Sequence, residues 1–205
     1  MMVTVDSLLD KVNEMAPLIR AHAEEAEQAR QLARPVVAAM QQAGLYRMAR
    51  PKAFGGLELD PVSIFKVVEA VARHDSAAGW NLQLSLAVDW LLAWLPDAGV
   101  AEILDGNPDA ILGTSFTPTC QAIEVEGGYR LTGQIPYVSG AHHCHWFLFN
   151  PIPMDGDQPR LHAPGIPMQR FVWLSAADTA ILDTWHTLGM RGTGSHDVAI
   201  HDLFI

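Results

Sequence analysis

Cysteine is nearly absent: the chain has two, Cys120 and Cys144, in 205 residues. Two thiols cannot build the disulfide framework of a small secreted domain, so the chain reads as reduced and cytoplasmic. Basic residues are also scarce. Thirteen Lys and Arg stand against 23 Asp and Glu, a net charge of −10. Such a surface has little with which to replace the counterions of a nucleic-acid backbone. No long hydrophobic run is present. The greasiest stretch, Leu82 to Leu95, is interrupted by Asp89 and is too short to cross a bilayer. The opening MMVTVDSLLDKV lacks a basic segment followed by an apolar core and does not read as a secretory signal. No internal repeat or low-complexity tract is visible.

What is there divides in two. The hydrophobic share of 49% with 18% charged residues is ordinary for a packed protein. Before about Pro108 the chain is rich in Ala, Leu, Glu and Gln at helical spacing; after it come most glycines, Thr/Val alternation and turn signals. The expected fold class is α+β, with a helical domain over residues 1–108 and a β-rich domain over 109–205. Val5, Leu8, Leu9, Val12, Met15 and Ile19 share one stripe, which predicts a long first helix whose later part, HAEEAEQAR, is solvated. Pro35 suits the first turn of a second helix and Gly44 its C-cap. RPKAFGGLEL, from Arg50, is too broken by Pro51, Gly55 and Gly56 to be regular. Asp60 with Pro61 predicts a third helix. Asp75 and Ser76 predict a fourth, running through Trp80, Leu84, Trp90 and Trp94 to Pro96. Trp80 and Trp94 read as core packing.

In the β half, IEVEGGYRLTG poses a register question. A three-residue loop, Glu126 to Gly128, would pair Val125 with Tyr129 and Ile123 with Leu131, keeping apolar residues together. The expectation is a type I turn with Gly128 at positive φ.

Three segments carry candidate chemistry. YRLTGQIPYVSGAHHCHW, Tyr129 to Trp146, reads as strand, bend, strand, with the Ser139 hydroxyl beside Gly140 and near Tyr137. Small residues beside a hydroxyl let a planar ligand approach the backbone, although a plain turn has the same pattern. In HHCH, His143 and His145 would share one strand face and His142 and Cys144 the other. Neither face offers three ligands and no second cluster has zinc spacing, so no metal site is expected. Either the histidines edge a pocket or they lie on a surface strand. RGTGS, Arg191 to Ser195, has the glycines of a phosphate loop but not the Walker spacing, and a structural turn is the expected role.

Four stretches, AGLYRMARPKAFGGLELD, HDSAAGW, GTSFTPTCQAIEVEGGYRLTGQIPYVSGAHHCHW and WHTLGMRGTGSHDVAIHDLFI, stand in an order that resembles the acyl-CoA dehydrogenase superfamily. The match looks closest to its flavin-dependent monooxygenase branch, which includes the oxygenase components of two-component aromatic hydroxylases and the dibenzothiophene-type monooxygenases. The resemblance implies an N-terminal helical domain, an antiparallel β-barrel middle domain and a C-terminal four-helix bundle. The chain stops at Ile205, so on this reading it is a fragment without the bundle, inactive alone and prone to self-association through the uncovered apolar face.

The resemblance also implies a site. FMN or FAD, reduced by a separate flavin reductase, would lie against Ser115, Phe116 and Thr117 and against Tyr137, Val138, Ser139 and Gly140, with Thr193 and Ser195 as further contacts. Ser139, near flavin N5, and His142 would be catalytic; Val88, Asp89 and His143 would edge the substrate pocket. Reduced flavin would react with oxygen to give a C4a-hydroperoxide, which the protein shields from water beside a small aromatic or hydrophobic substrate. The full-length form would be a homotetramer. Hydroxylase members often carry a His where this chain has Val88, which leaves phenol activation without its usual residue. Two other readings stay open: a dehydrogenase of the same superfamily, although SFTPTC lacks that branch's acid and Gly-Ser-Asp, and a scaffold subunit without flavin.

Overall fold

The computed structural model describes residues 3–205. The helices form where the caps and stripes predict. Helix α1 runs Val5–Ala29 and buries Leu8, Val12, Met15 and Ile19. Helix α2, Arg34–Gln42, has Pro35 in its first turn, and Gly44 follows its end at φ +81°. Helix α3, Pro61–Ala72, is capped by Asp60, whose carboxylate accepts from Ser63 N at 3.1 Å. Helix α4, Ser76–Asp89, is capped by Asp75, which accepts from Ala77 N at 3.0 Å.

Two helical expectations need correction. The fourth helix is α-helical only to Asp89 and continues as a 3₁₀ turn over Trp90–Trp94. Pro96 does more than end it: it caps a short α5, Asp97–Leu104, that the sequence reading missed. Trp80 and Trp94 are not core residues, being 47% and 70% exposed. The irregular stretch after Arg50 is irregular in the structure, and Arg50 itself is fully buried.

The strands are β1 Leu112–Thr114, β2 Cys120–Val125, β3 Gly128–Val138, β4 Trp146–Phe149, β5 Ile152–Asp155, β6 Gln158–Pro159, β7 Leu161–Ala163, β8 Ile166–Pro167, β9 Val172–Ser175, β10 Ala180–Leu182 and β11 His196–Phe204. They form a sheet ordered β1-β4-β9, a sheet ordered β10-β11-β3-β2-β5-β6, and the pair β7-β8. The expected antiparallel barrel is not what forms. β1 pairs with β4, and β2 with β5, in parallel, and the two edges of the larger sheet do not meet. One edge is the two-residue β6, where Pro159 has no N–H to give a further strand. The chain steps from β4 in one sheet to β5 in the other across Asn150 and Pro151, which stacks the sheets rather than rolling one closed. Leu131, Ile135 and Val198 of one sheet pack with Phe147, Phe149 and Leu174 of the other.

The hairpin register also differs from expectation. Val125 pairs with Gly128 and Ala122 with Leu131, leaving a two-residue turn in which Gly127, not Gly128, has positive φ, +86°. The error was to count Ile123 as a core residue. It is 51% exposed opposite Arg130, while Cys120 and Ala122 carry the buried face. Gly128 is needed for a different reason. The Ile205 carbonyl lies where a Cβ would stand, and Ile205 and Tyr129 exchange backbone hydrogen bonds at 2.9 and 3.0 Å.

Helix α4 holds the two halves together, packing against α3 on one side and against β1 and the Arg191–Thr193 turn on the other. It is consequently apolar around most of its circumference.

Candidate functional site

A cleft of about 510 Å³ opens along α4 where it meets the sheets. That is within the usual range for a small-molecule pocket. One wall is a helical stripe, Trp80, Leu84 and Ala87, at i, i+4 and i+7. A second is the end of β1 and the residues after it, Thr114, Ser115 and Phe116. Tyr137 and Ser139 come from the end of β3. The connection from β10 to β11 supplies Trp185, Met190, Thr193 and Ser195. None of these side chains carries a formal charge.

Backbone irregularity aims several of them. Between Ile135 and Val138, β3 has one residue more than β11 has between His196 and Val198, a bulge at Pro136 and Tyr137. Pro136 gives up no ladder bond there. Tyr137 sits at φ +62°, uncommon for a bulky residue, and its ring meets Trp185 edge-on at 6.3 Å. Met190, also at the cleft, has φ +55°. Strain of this kind costs roughly 1–3 kcal/mol per residue and clusters at ligand sites. Gly140, φ +70°, lies two residues past β3 and caps a 3₁₀ turn over Ala141–His143; its N–H donates to the Thr193 carbonyl at 2.8 Å, tying the bend to the RGTGS turn.

The polar groups of the cleft form one connected row. Trp80 Nε1 lies 3.1 Å from Ser139 Oγ, Ser139 Oγ 2.7 Å from Ser195 Oγ, Ser195 Oγ 2.7 Å from Thr193 Oγ1, and Thr193 Oγ1 2.8 Å from the Met190 carbonyl. Ser115 Oγ donates to Thr117 Oγ1 at 3.3 Å. His196 fixes the β10–β11 connection: its Nδ1 accepts from Thr184 N and Trp185 N, both at 3.3 Å.

Ser115, Phe116, Tyr137, Ser139, Thr193 and Ser195 therefore come together on one cleft. Thr117 stands just behind Ser115. The Val138 side chain turns into the sheet core, fully buried. Val88 and Asp89, expected at a pocket, are not on the cleft. A 100° step per residue carries them past the Trp80 stripe. Val88 joins the core with Leu92, Leu112 and Leu148. Asp89 pairs with Arg50 at 2.9 Å, both without exposure, and Arg50 also donates to the Pro108 and Ala110 carbonyls. Burial pushes Asp89 up to about 6, against the Arg50 charge that pulls it down.

The histidines also fall elsewhere. HHCH is not a strand, because the turn after Gly140 delays strand alternation until Trp146. His142 is exposed and stacks edge-on against His196 at 5.2 Å, away from the cleft lining. His145 Nδ1 accepts from Ile111 N at 3.0 Å. His143 lines a separate small cavity with Asn81, Ser85 and Gly140, behind Ser139. Both polar side-chain atoms of Asn81, Ser85 Oγ and His143 Nε2 have no hydrogen-bond partner within the protein there. Burial pulls His143 down to about 4, so its ring is neutral at pH 7. The Cys144 thiol is pushed up to about 12 by burial. Among the described residues no group of three or more His, Cys, Asp or Glu could hold a metal ion.

The RGTGS turn is not an open anion cradle. The Glu27 carboxylate of α1 accepts from Gly192 N at 3.1 Å, and Arg191 Nε donates to the Glu27 carbonyl at 2.9 Å. Sequence reading missed Trp80, Leu84, Ala87, Thr114, Trp185 and Met190. The i, i+4, i+7 spacing of the first three could have shown a shared face, but not that the face borders a cleft.

The shape fits a flat aromatic ligand: apolar walls for its faces and a hydroxyl row for one edge. Residues 6–99 match the family model described as acyl-CoA dehydrogenase, N-terminal domain. The matched residues are thus similar to the N-terminal domain of the acyl-CoA dehydrogenases. It is 32% identical over 198 residues to the FADH(2)-dependent resorcinol hydroxylase, oxygenase component, of Rhizobium sp. (strain MTP-10005), covering 97% of this chain and 47% of that protein. It is 31% identical to the indole-3-acetate monooxygenase of Pseudomonas putida, covering 98% of this chain and 48% of that protein. The chain thus spans about half the length of these curated relatives. Among solved structures, XiaF from Streptomyces sp., in complex with FADH2 and glycerol, superposes with a TM-score of 0.89 at 30% identity, over 98% of this chain and 49% of that one. The HsaA monooxygenase from M. tuberculosis superposes with a TM-score of 0.89 at 25% identity, over 99% of this chain and 52% of that one. Among the described residues no helix is long and apolar enough to cross a membrane.

Proposed function

We propose that this chain forms the flavin-binding part of the oxygenase component of a two-component monooxygenase. The protein takes FMN or FAD, already reduced by a separate flavin reductase, and uses O2 to hydroxylate a small aromatic or hydrophobic substrate. Residues 1–108 act as a helical domain and 109–205 as a β-rich domain, in a cytoplasmic protein that is a homotetramer at full length. One observation carries the reading: a cleft with aromatic walls in which the Ser139 hydroxyl, already bonded to Trp80 and Ser195, has a lone pair left for a ligand. The relatives named above, hydroxylases and monooxygenases, support the reaction class.

Bound reduced flavin supplies the two electrons that let O2 be divided between hydroxylated product and water. The chain's own residues bind, orient and shield. Trp80, Leu84, Tyr137 and Trp185 provide apolar walls that keep water off a flat ring. Ser139 meets its polar edge. Ser115 and the backbone near Phe116 serve the other end. Val88 and Asp89 take no part in substrate binding on this reading, since neither reaches the cleft.

The test uses the full-length protein. Anaerobic titration with reduced FMN and reduced FAD should show saturable binding. Admitting oxygen in the presence of small phenols or indoles should give a hydroxylated product whose new oxygen comes from O2. Binding of neither flavin would leave the scaffold reading in its place.

A further inference from the structure

The hydroxyl row that ends at Ser139 has a direction, and the direction is fixed at both ends. The Trp80 indole N–H can only donate, and the Met190 carbonyl can only accept. Between them stand three hydroxyls with one proton each. Filling all four contacts leaves one arrangement: Trp80 donates to Ser139, Ser139 to Ser195, Ser195 to Thr193, and Thr193 to the Met190 carbonyl. The Ser139 proton is then committed inside the protein. What Ser139 has left for the cleft is a lone pair. Ser139, Thr193 and Ser195 are 7%, 1% and 4% exposed, so solvent is a poor competitor for these bonds.

The opposite arrangement can form, but at a cost. For Ser139 to donate into the cleft, all three hydroxyls must rotate, and Thr193 must release the Met190 carbonyl. That carbonyl still accepts from Thr193 N at 3.1 Å and Trp185 Nε1 at 3.2 Å, so it is not orphaned. The bias is therefore one hydrogen bond, or roughly two- to tenfold in population.

We propose that Thr193 and Ser195 are positioning residues that hold Ser139 as an acceptor, so that the cleft selects the redox state of its cofactor. The inference rests on the flavin reading above. Flavin N5 carries a hydrogen when reduced and is a bare acceptor when oxidised. An acceptor hydroxyl in the cleft satisfies the first and opposes the second. Thr193 acts through Ser195 and Ser139 and needs no contact with the ring. Selection of this kind suits an enzyme that must take reduced flavin from another protein and let go of the oxidised form.

The test is the ratio of dissociation constants for oxidised and reduced flavin, measured anaerobically on the full-length protein. Thr193→Val keeps the volume and removes the hydroxyl that takes the Ser195 proton. That proton then turns to Ser139, which is free to donate. The ratio should fall by roughly two- to tenfold in Thr193→Val and return in Thr193→Ser. Ser195→Ala cuts the row next to Ser139, should shift the ratio the same way, and serves if Thr193→Val does not fold. An unchanged ratio, or equal weakening of both redox states, overturns the inference while leaving the flavin reading intact. If the wild type binds neither form, the flavin reading fails and the inference with it.

Discussion

Replacing Ser139 by alanine removes one hydroxyl and little volume. On the present account it deprives the ligand's polar edge of a hydrogen bond. Affinity for reduced flavin should drop roughly five- to twentyfold with the fold intact by circular dichroism. Unchanged affinity would remove Ser139 from the site. The buried pair Arg50–Asp89 makes a different prediction. Asp89→Asn leaves the Arg50 charge buried without its counterion and should cost about 3–5 kcal/mol in denaturant unfolding. A loss under 1 kcal/mol would mean that water reaches the pair. His143 gives a pH signature. Its native pKa of about 4 lies below the ordinary 6.5, so between those values the unfolded chain binds a proton that the native ring refuses. The contribution of His143 to stability is complete above about 6.5 and is lost as pH falls through that window, by up to about 3 kcal/mol. Asp89 works in the opposite sense. Its raised pKa gives a contribution complete below 3.8 and lost as pH rises toward about 6. The difference in unfolding free energy between wild type and His143→Gln isolates the histidine. It should shrink as pH falls from 7 to 4, and a flat difference would contradict a buried neutral ring.

Ser139, Phe116 and Tyr137 were named as site residues from the sequence or its resemblance, and the tryptophans of the cleft were not. Ser139 could be picked out because it is a hydroxyl beside a glycine at a bend, whereas Thr193 and Ser195 came only with the family resemblance. Trp80 and Trp185 could not, because a tryptophan at apolar spacing looks the same whether it faces a core or a cleft. Val88 and Asp89 show the converse error: each is one helical step beyond the stripe that does face the cleft.

Among the elements, the bulge at the end of β3 ties backbone to site. Tyr137 is 64% exposed and held at positive φ. Tyr137→Gly relieves the strain but adds freedom to the unfolded chain, so stability should stay within about 1 kcal/mol of wild type. Flavin affinity should nevertheless fall several-fold with the loss of the ring. If stability and affinity fall together, the ring is structural. Caps and turn glycines made the main helices readable, since Asp60, Pro61 and Asp75 act locally. Strand pairing was not readable to the same degree. Which face of β2 is buried depends on the opposing sheet, and that sheet put Ala122 inward and Ile123 outward. The parallel pairings of β1 with β4 and β2 with β5 join segments far apart in sequence, which no local pattern encodes.

Taken whole, the molecule leaves much aromatic surface uncovered. Trp80, Trp90, Trp94, Phe116 and Phe171 are all exposed, and Trp80 and Phe116 lie on the cleft. Surface of this kind drives association. This chain on its own should self-associate at micromolar concentration in sedimentation velocity, and a monodisperse monomer at high concentration would contradict that. Flavin binding turns on one place, the cleft between α4 and the ends of the strands. A crystal structure of the full-length protein with reduced flavin tests it most directly. The tricyclic ring should lie in this cleft, flanked by Trp80 and Tyr137, with its central edge within hydrogen-bond distance of Ser139 Oγ. A ring bound elsewhere, or in the cleft with Ser139 turned away from it, would contradict the account.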